Sequence, residues 1–144
     1  NWPLTLGRDG ARTPMPWVKD AAEAGFTTGR PWLPIGQGHA DAAVDQQNDD
    51  ARSVLNFTRK VLSIRRESPA LMLGEIAFFD AQAPLLAFRR MSRDESVLCV
   101  FNLGGMPIQR PGYLPSGATA LAESGWAENP SGSIPEYSVW IGRT

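Results

Sequence analysis

Residues 8–17 read RDGARTPMPW. Two guanidinium groups (Arg8, Arg12), a carboxylate (Asp9), a hydroxyl (Thr13) and an indole (Trp17) fall in this stretch, and Gly10, Pro14 and Pro16 break any continuous helix or strand. The arginine fork offers several donors in fixed geometry, which suits sugar hydroxyls and carboxylates. Binding groups also gather on loops that a rigid scaffold holds. The same residues admit a structural reading in which each arginine pairs with Asp9 or with a backbone carbonyl. Trp17, and Trp32 in RPW, could stack on a sugar ring or staple an irregular segment in place; their proline neighbours favour packing.

Other side chains able to do chemistry are isolated. His39 is the one histidine, with no second His or Cys at metal-ligand spacing, and no serine sits in a nucleophile-elbow context. It reads as an ordinary loop histidine. Asp49 and Asp50 are adjacent carboxylates. Glycosidase pairs stand about 5 Å apart in the retaining class, but neighbours at a helix start diverge, and capping accounts for both. Asp41 and Asp45 precede that helix and read as solvated surface. GRDG and GQG lack the length and the strand–helix setting of a phosphate loop. No residue is assigned a catalytic role, and no metal site or cofactor is expected.

The elements that would position these groups differ in texture along the 144 residues. Residues 1–49 carry repeated Gly and Pro breakers but also Trp2, Trp17, Phe26 and Trp32, more aromatic mass than a disordered segment holds. An ordered, irregular excursion is predicted, of the kind that is usually functional when this long. Residues 50–67, DARSVLNFTRKVLSIRRE, are the one clear helix: Val54, Phe57, Val61 and Ile64 share a face and Leu55 and Leu62 widen it. Asn48, Asp49 and Asp50 are its N-cap candidates, Arg65 and Arg66 suit its C-terminal end, and Ser68-Pro69 stops it. Residues 70–144 read as β-structure, with strands at 74–80, 85–91, 95–103, 118–123 and 136–142 separated by turn-forming clusters, as in a small antiparallel sandwich.

The charge balance, 14 basic against 15 acidic residues, carries no nucleic-acid or anionic-membrane footprint. No apolar run approaches the roughly 18 residues needed to span a bilayer. The lone Cys99, in SVLCVF, reads as a small buried hydrophobe; without an internal disulfide or a leader segment, a reducing, cytoplasmic location is expected. Asn1 in place of an initiator Met points to a chain that begins inside something longer.

GRDGARTPMPW, AGFTTGRPWLP, QQNDDARSVLNFTRKVLSIRRESPAL, LLAFRR and VLCVFNL, in that order, resemble the C-terminal part of α-glucosidases of glycoside hydrolase family 13, in the branch that includes oligo-1,6-glucosidase, dextran glucosidase and trehalose synthase. The likeness covers nearly the whole chain; the RTPM-x-W and GF-to-PW pair is its most specific part, and the stretch after residue 106 is generic. The family fold is a (β/α)₈ barrel followed by an antiparallel β-domain. A barrel alone needs about 250 residues, so the resemblance implies an α+β fragment. Residues 1–69 would be the long catalytic-face loop and last helix of the barrel, and residues 70–144 the C-terminal β-sandwich. It further implies that Arg8 contacts the glucose in subsite −1, beside an aspartate of an early barrel loop, and that Arg12, Thr13 and Trp17 shape that loop. The family's three carboxylates would lie upstream, as would the ligands of the calcium that some members hold. The substrate implied is a terminal α-glucoside or oligosaccharide, reached through the rest of the barrel. Trehalose synthase or sucrose isomerase chemistry stays open beside hydrolysis. So do a carbohydrate-binding β-module, for which Tyr113, Trp126, Tyr137 and Trp140 are the aromatic candidates, and a structural interaction domain.

Overall fold

A computed structural model describes residues 9–36, 38–114, 118–125 and 132–144. The chain divides into two compact units, residues 1–58 and 59–144.

In the first unit, 3₁₀ turns at Asp9–Ala11, Ala22–Gly25 and His39–Ala42 are followed by a short helix, α1 (Val44–Asp49). The described part of the irregular excursion, residues 9–36 and 38–49, is therefore ordered. The long helix, α2 (Val54–Glu67), starts later than residue 50 because a different residue caps it. The Ser53 hydroxyl accepts from the Asn56 backbone N–H at 3.1 Å, whereas Asn48 and Asp49 belong to α1 and the Asp50 carboxylate accepts from Arg52 N. A six-residue helix is too short to show a period, so α1 left no signal. No residue of α2 is buried: Val54 is 77% and Leu62 49% exposed, with Phe57, Val61 and Ile64 half-buried.

Ser68-Pro69 ends α2 as expected and starts a further helix, α3 (Pro69–Leu73), with Ser68 Oγ accepting from Leu71 N at 3.1 Å and proline in the first turn, where its missing N–H costs nothing. Among the described residues seven strands follow: β1 (Glu75–Phe78), β2 (Leu85–Met91), β3 (Ser96–Asn102), β4 (Ile108–Gln109), β5 (Thr119–Ser124), β6 (Ser133–Ile134) and β7 (Ser138–Arg143). Five form one antiparallel sheet in the order β1-β2-β3-β7-β5, and β4 pairs with β6 apart from it. The five predicted strands are these five, each end within two residues; the two-residue β4 and β6 are too short for alternation to show.

The register Ala87↔Val100↔Trp140 puts Leu85, Ala87, Leu98, Val100 and Trp140 on one sheet face. Leu114, Ile134 and the half-buried Ile108 pack on them and make the core. Burying a side chain such as Leu98 or Ile134 contributes about 1.5–3 kcal/mol. Gly142 lies under the Trp140 ring, where a Cβ would collide with it. At the end of the same face Asn102 is 1% exposed. Its amide donates to the Met106, Ile134 and Pro135 carbonyls and accepts from Gly104 N, which offsets the cost of burying it. Among the described residues no helix is long and apolar enough to cross a membrane.

Candidate functional site

Arg8, the residue with the most specific expected role, lies outside the described residues. The rest of the RDGARTPMPW stretch is described. It opens with a 3₁₀ turn in which Arg12 N donates to Asp9 O at 2.9 Å. Arg12 is exposed, Thr13 half-buried and Pro14 buried. Pro14 and Pro16 fix φ on either side of Met15, so this stretch is stiff without being helical or extended over any length.

Its downstream end is anchored on two sides. Trp17 N and Val18 N both donate to Ala24 O, at 2.8 and 3.1 Å. On the other side, Val44 N donates to Pro16 O and Asp45 N to Trp17 O, each at 3.1 Å. The half-buried Asp45 carboxylate accepts from Lys19 N through both oxygens, at 3.2 and 3.1 Å. Lys19 Nζ meets Asp41 Oδ1 at 2.7 Å, an exposed pair that raises the lysine pKa and lowers the aspartate's through their hydrogen bond. The carbonyl that receives Trp17 belongs to a run of three left-handed residues, Glu23 (φ 48°), Ala24 (φ 49°) and Gly25 (φ 71°). Only glycine adopts that region without cost, so two residues here are strained, and the surrounding hydrogen bonds hold them.

Helix α1 is in turn sewn to the start of α2. The Asn56 amide donates to the carbonyls of Gln47, Asn48 and Asp50, at 2.9, 3.1 and 2.9 Å. Ser53 Oγ donates to Gln47 O at 2.6 Å, and the Gln47 side chain donates to Ala42 O and accepts from Leu55 N. These carbonyls are the orphan acceptors that every helix end leaves. Hydrogen bonds therefore tie Asn56 to Gln47 and Asp45 to residues 17–19, and the short backbone of α1 joins the two sets.

The other sequence candidates fall as follows. His39 begins a 3₁₀ turn, its N–H on Gly36 O at 3.1 Å and its ring against Gly36. Asp49 and Asp50 are exposed at the end of α1. Among the described residues no three His, Cys, Asp or Glu side chains form a metal-binding group. Trp17 is 48% and Trp32 80% exposed, so the packing expected of Trp32 is not made within this chain. Of the aromatic candidates for a sugar-binding β-module, Tyr113 (48%) and Tyr137 (75%) are exposed, Trp140 is in the core, and Trp126 lies outside the described residues. Asp45, read from sequence as solvated, is the residue that reasoning missed: its contacts are to backbone atoms 26 positions away, and no spacing rule encodes them.

Chemically, the unit presents a rigid loop carrying a guanidinium, a hydroxyl and an indole. Such a loop binds and orients; its described residues hold no carboxylate pair arranged for acid and nucleophile roles.

Comparison with known proteins places this arrangement. The profile described as "Alpha amylase, catalytic domain" matches residues 2–74. A probable alpha-glucosidase of Rhizobium meliloti is 45% identical over 102 residues, covering 71% of this chain and 18% of that protein. The trehalose synthase/amylase TreS of Mycobacterium tuberculosis is 40% identical over 111 residues, again 18% of its length. The crystal structure of the trehalulose synthase MutB from Pseudomonas mesoacidophila superposes with a TM-score of 0.83 at 33% identity, over 95% of this chain and 26% of that one. The chain thus spans about a fifth of the length of the curated relatives it matches.

Proposed function

The chain belongs to the alpha-amylase family, and we propose that it is the C-terminal portion of an exo-acting, retaining α-glucosidase that releases terminal α-linked glucose from maltose or from isomalto- and malto-oligosaccharides. One observation carries the reading. The catalytic-domain match runs to Gly74 and stops one residue before β1, with 45% identity to a probable alpha-glucosidase beside it. In this reading residues 1–69 are the catalytic-face loop and last helix of a (β/α)₈ barrel, and residues 70–144 are the C-terminal β-domain. The β4–β6 pair lying over the core face of the five-stranded sheet supports a sandwich form for that domain. The apolar stripe of α2, with Val54 and Leu62 exposed and no residue buried, supports a partner upstream.

The parent enzyme cleaves by double displacement through a covalent glucosyl intermediate, using carboxylates that lie upstream of this chain. Arg8 closes the far end of the pocket by donating to the terminal glucose, and Arg12, Thr13 and Trp17 shape the loop that carries it. The buried, unpaired thiol of Cys99 fits a cytoplasmic location. The test is the full-length protein against nitrophenyl α-glucoside. Arg8→Ala raises KM with little change in melting temperature, and the 144-residue chain alone shows no turnover. Turnover by the chain alone, or equal loss of activity and melting temperature in Arg8→Ala, ends the reading.

A second reading, isomerising transglycosylation, is favoured by the likeness to TreS and to MutB. Product analysis separates the two: glucose release marks the hydrolase, whereas rearranged disaccharide from maltose or sucrose marks the isomerase.

A further inference from the structure

We infer that Asp45 is a positioning residue for the proposed glucose-binding loop; the inference rests on the reading of Arg8 given above. Three contacts support it. Both Asp45 oxygens accept from Lys19 N, Asp45 N donates to Trp17 O, and the neighbouring Val44 N donates to Pro16 O. Together they fix both carbonyls at the PW end of RDGARTPMPW and the amide two residues beyond. Asp45 is itself held, because α1 is tied to α2 through Gln47, Ser53 and Asn56. The contacts end on the first turn of the 14-residue helix α2.

Between this anchor and Arg12 stand Thr13-Pro14-Met15, with φ fixed at Pro14 and again at Pro16. Two of the rotations that could absorb a displacement at Trp17 before it reaches Arg12 are therefore removed. The strained Glu23–Gly25 turn fits the same role: it aims the Ala24 carbonyl at Trp17 N and Val18 N, so the loop end is gripped from both sides. Strain of this kind persists where surrounding contacts over-determine a conformation. Asp41 provides the internal comparison. It is an equal charge on the same lysine, but it holds only the exposed ammonium and no backbone atom.

The experiment uses the full-length protein with nitrophenyl α-glucoside. Asp45→Asn keeps the shape and weakens the carboxylate acceptor. It is expected to raise KM about tenfold while kcat stays within about twofold, as for loss of substrate positioning remote from the bond broken. Amide exchange at residues 17–19 should quicken, while that of α2 holds. Asp41→Asn leaves KM unchanged. Asp45→Glu retains the charge with one extra methylene and gives an intermediate KM; should Asp45→Asn fail to fold, this variant carries the test through its own KM. Unchanged KM in Asp45→Asn or Asp45→Glu, or kcat and melting temperature falling together at constant KM, overturns the inference. If Arg8→Ala raises KM and Asp45→Asn does not, the inference alone falls. If Arg8→Ala itself leaves KM unchanged, the glucose-binding reading falls and takes the inference with it.

Discussion

The Ser68 hydroxyl donates a 2.6 Å hydrogen bond to the carboxylate of Glu95, 27 residues downstream. The same carboxylate accepts from Ala70 N at 3.1 Å and from the Arg143 guanidinium at 2.9 and 3.1 Å. One side chain, 9% exposed, thus joins the α2–α3 junction, the approach to β3 and the end of β7.

Glu95→Gln is expected to destabilise the folded chain by about 2 kcal/mol, the range for hydrogen bonds to a charged group. Burial alone would raise the Glu95 pKa, but the bonds from Ser68, Ala70 and Arg143 outweigh it, and the net direction is down. A carboxyl lowered on folding stabilises above its unfolded pKa, and that stabilisation is lost as pH falls through the folded value. Wild-type stability should therefore decline on acidification below the ordinary glutamate range, and the Gln variant should show a shallower decline. Urea titrations across acidic pH measure both. Parallel acid limbs would remove Glu95 from the account.

Cys99, 3% exposed on β3, should resist thiol reagents at neutral pH. Burial pushes its thiol up to about 11, against a smaller opposing pull from Arg90. The thiolate is the reactive form, so a disulfide-exchange reagent at pH 8 should label the chain only as fast as it unfolds. The linkage runs opposite to that of Glu95. The stabilisation is complete below the unfolded thiol pKa and drains away as pH rises toward the folded one. Rapid labelling of native protein at pH 8 would contradict the burial.

Tyr137 sits at φ 46°, with its N–H on Gly104 O at 3.1 Å and its ring 75% exposed. A bulky residue in the left-handed region is strained by about 1–2 kcal/mol, whereas asparagine tolerates that region. Tyr137→Asn should therefore raise the melting temperature of the chain, since little packing is lost with an exposed ring. A fall in melting temperature would show that the phenol resting over Gly105 contributes more than the backbone strain costs.

Apolar runs bounded by turn-forming clusters made the main strands legible: LLAFRRM and SVLCVFN became β2 and β3, and the helix stripe of α2 was plain. What stayed hidden shares a physical cause. Asp45, Asn56, Gln47 and Glu95 act through hydrogen bonds to partners distant in sequence or to backbone atoms, and hydrophobic periodicity carries no trace of either. Ser53 displaced Asn48, Asp49 and Asp50 as the cap of α2 because an unpredicted short helix had already taken up Asn48 and Asp49. Of the expected loop-shaping group, Arg12, Thr13 and Trp17 lie in a stretch that Pro14 and Pro16 stiffen, but its anchoring comes from Asp45 and Ala24, which the decapeptide does not contain.

The apolar stripe of α2 gives the last prediction. Val54 is 77% exposed and Leu62 49%, so in the 144-residue chain a polar replacement removes almost no packing. Val54→Lys there should change stability by no more than about 0.5 kcal/mol, as for ordinary surface positions. The exposed Val54 and Leu62, flanked by the half-buried Phe57 and Val61, should also make the isolated chain self-associate, because exposed apolar patches seek partners. The lysine should reduce that association, as read by light scattering. In the full-length protein the proposed barrel covers the same residue, and burying an unpaired charge there should cost several kcal/mol. The sign of the argument lies in the difference. A large loss in the long protein with almost none in the short one means that the stripe is an internal surface of the parent enzyme. Equal, small losses in both would leave α2 a solvent-facing helix and remove its support for an upstream barrel.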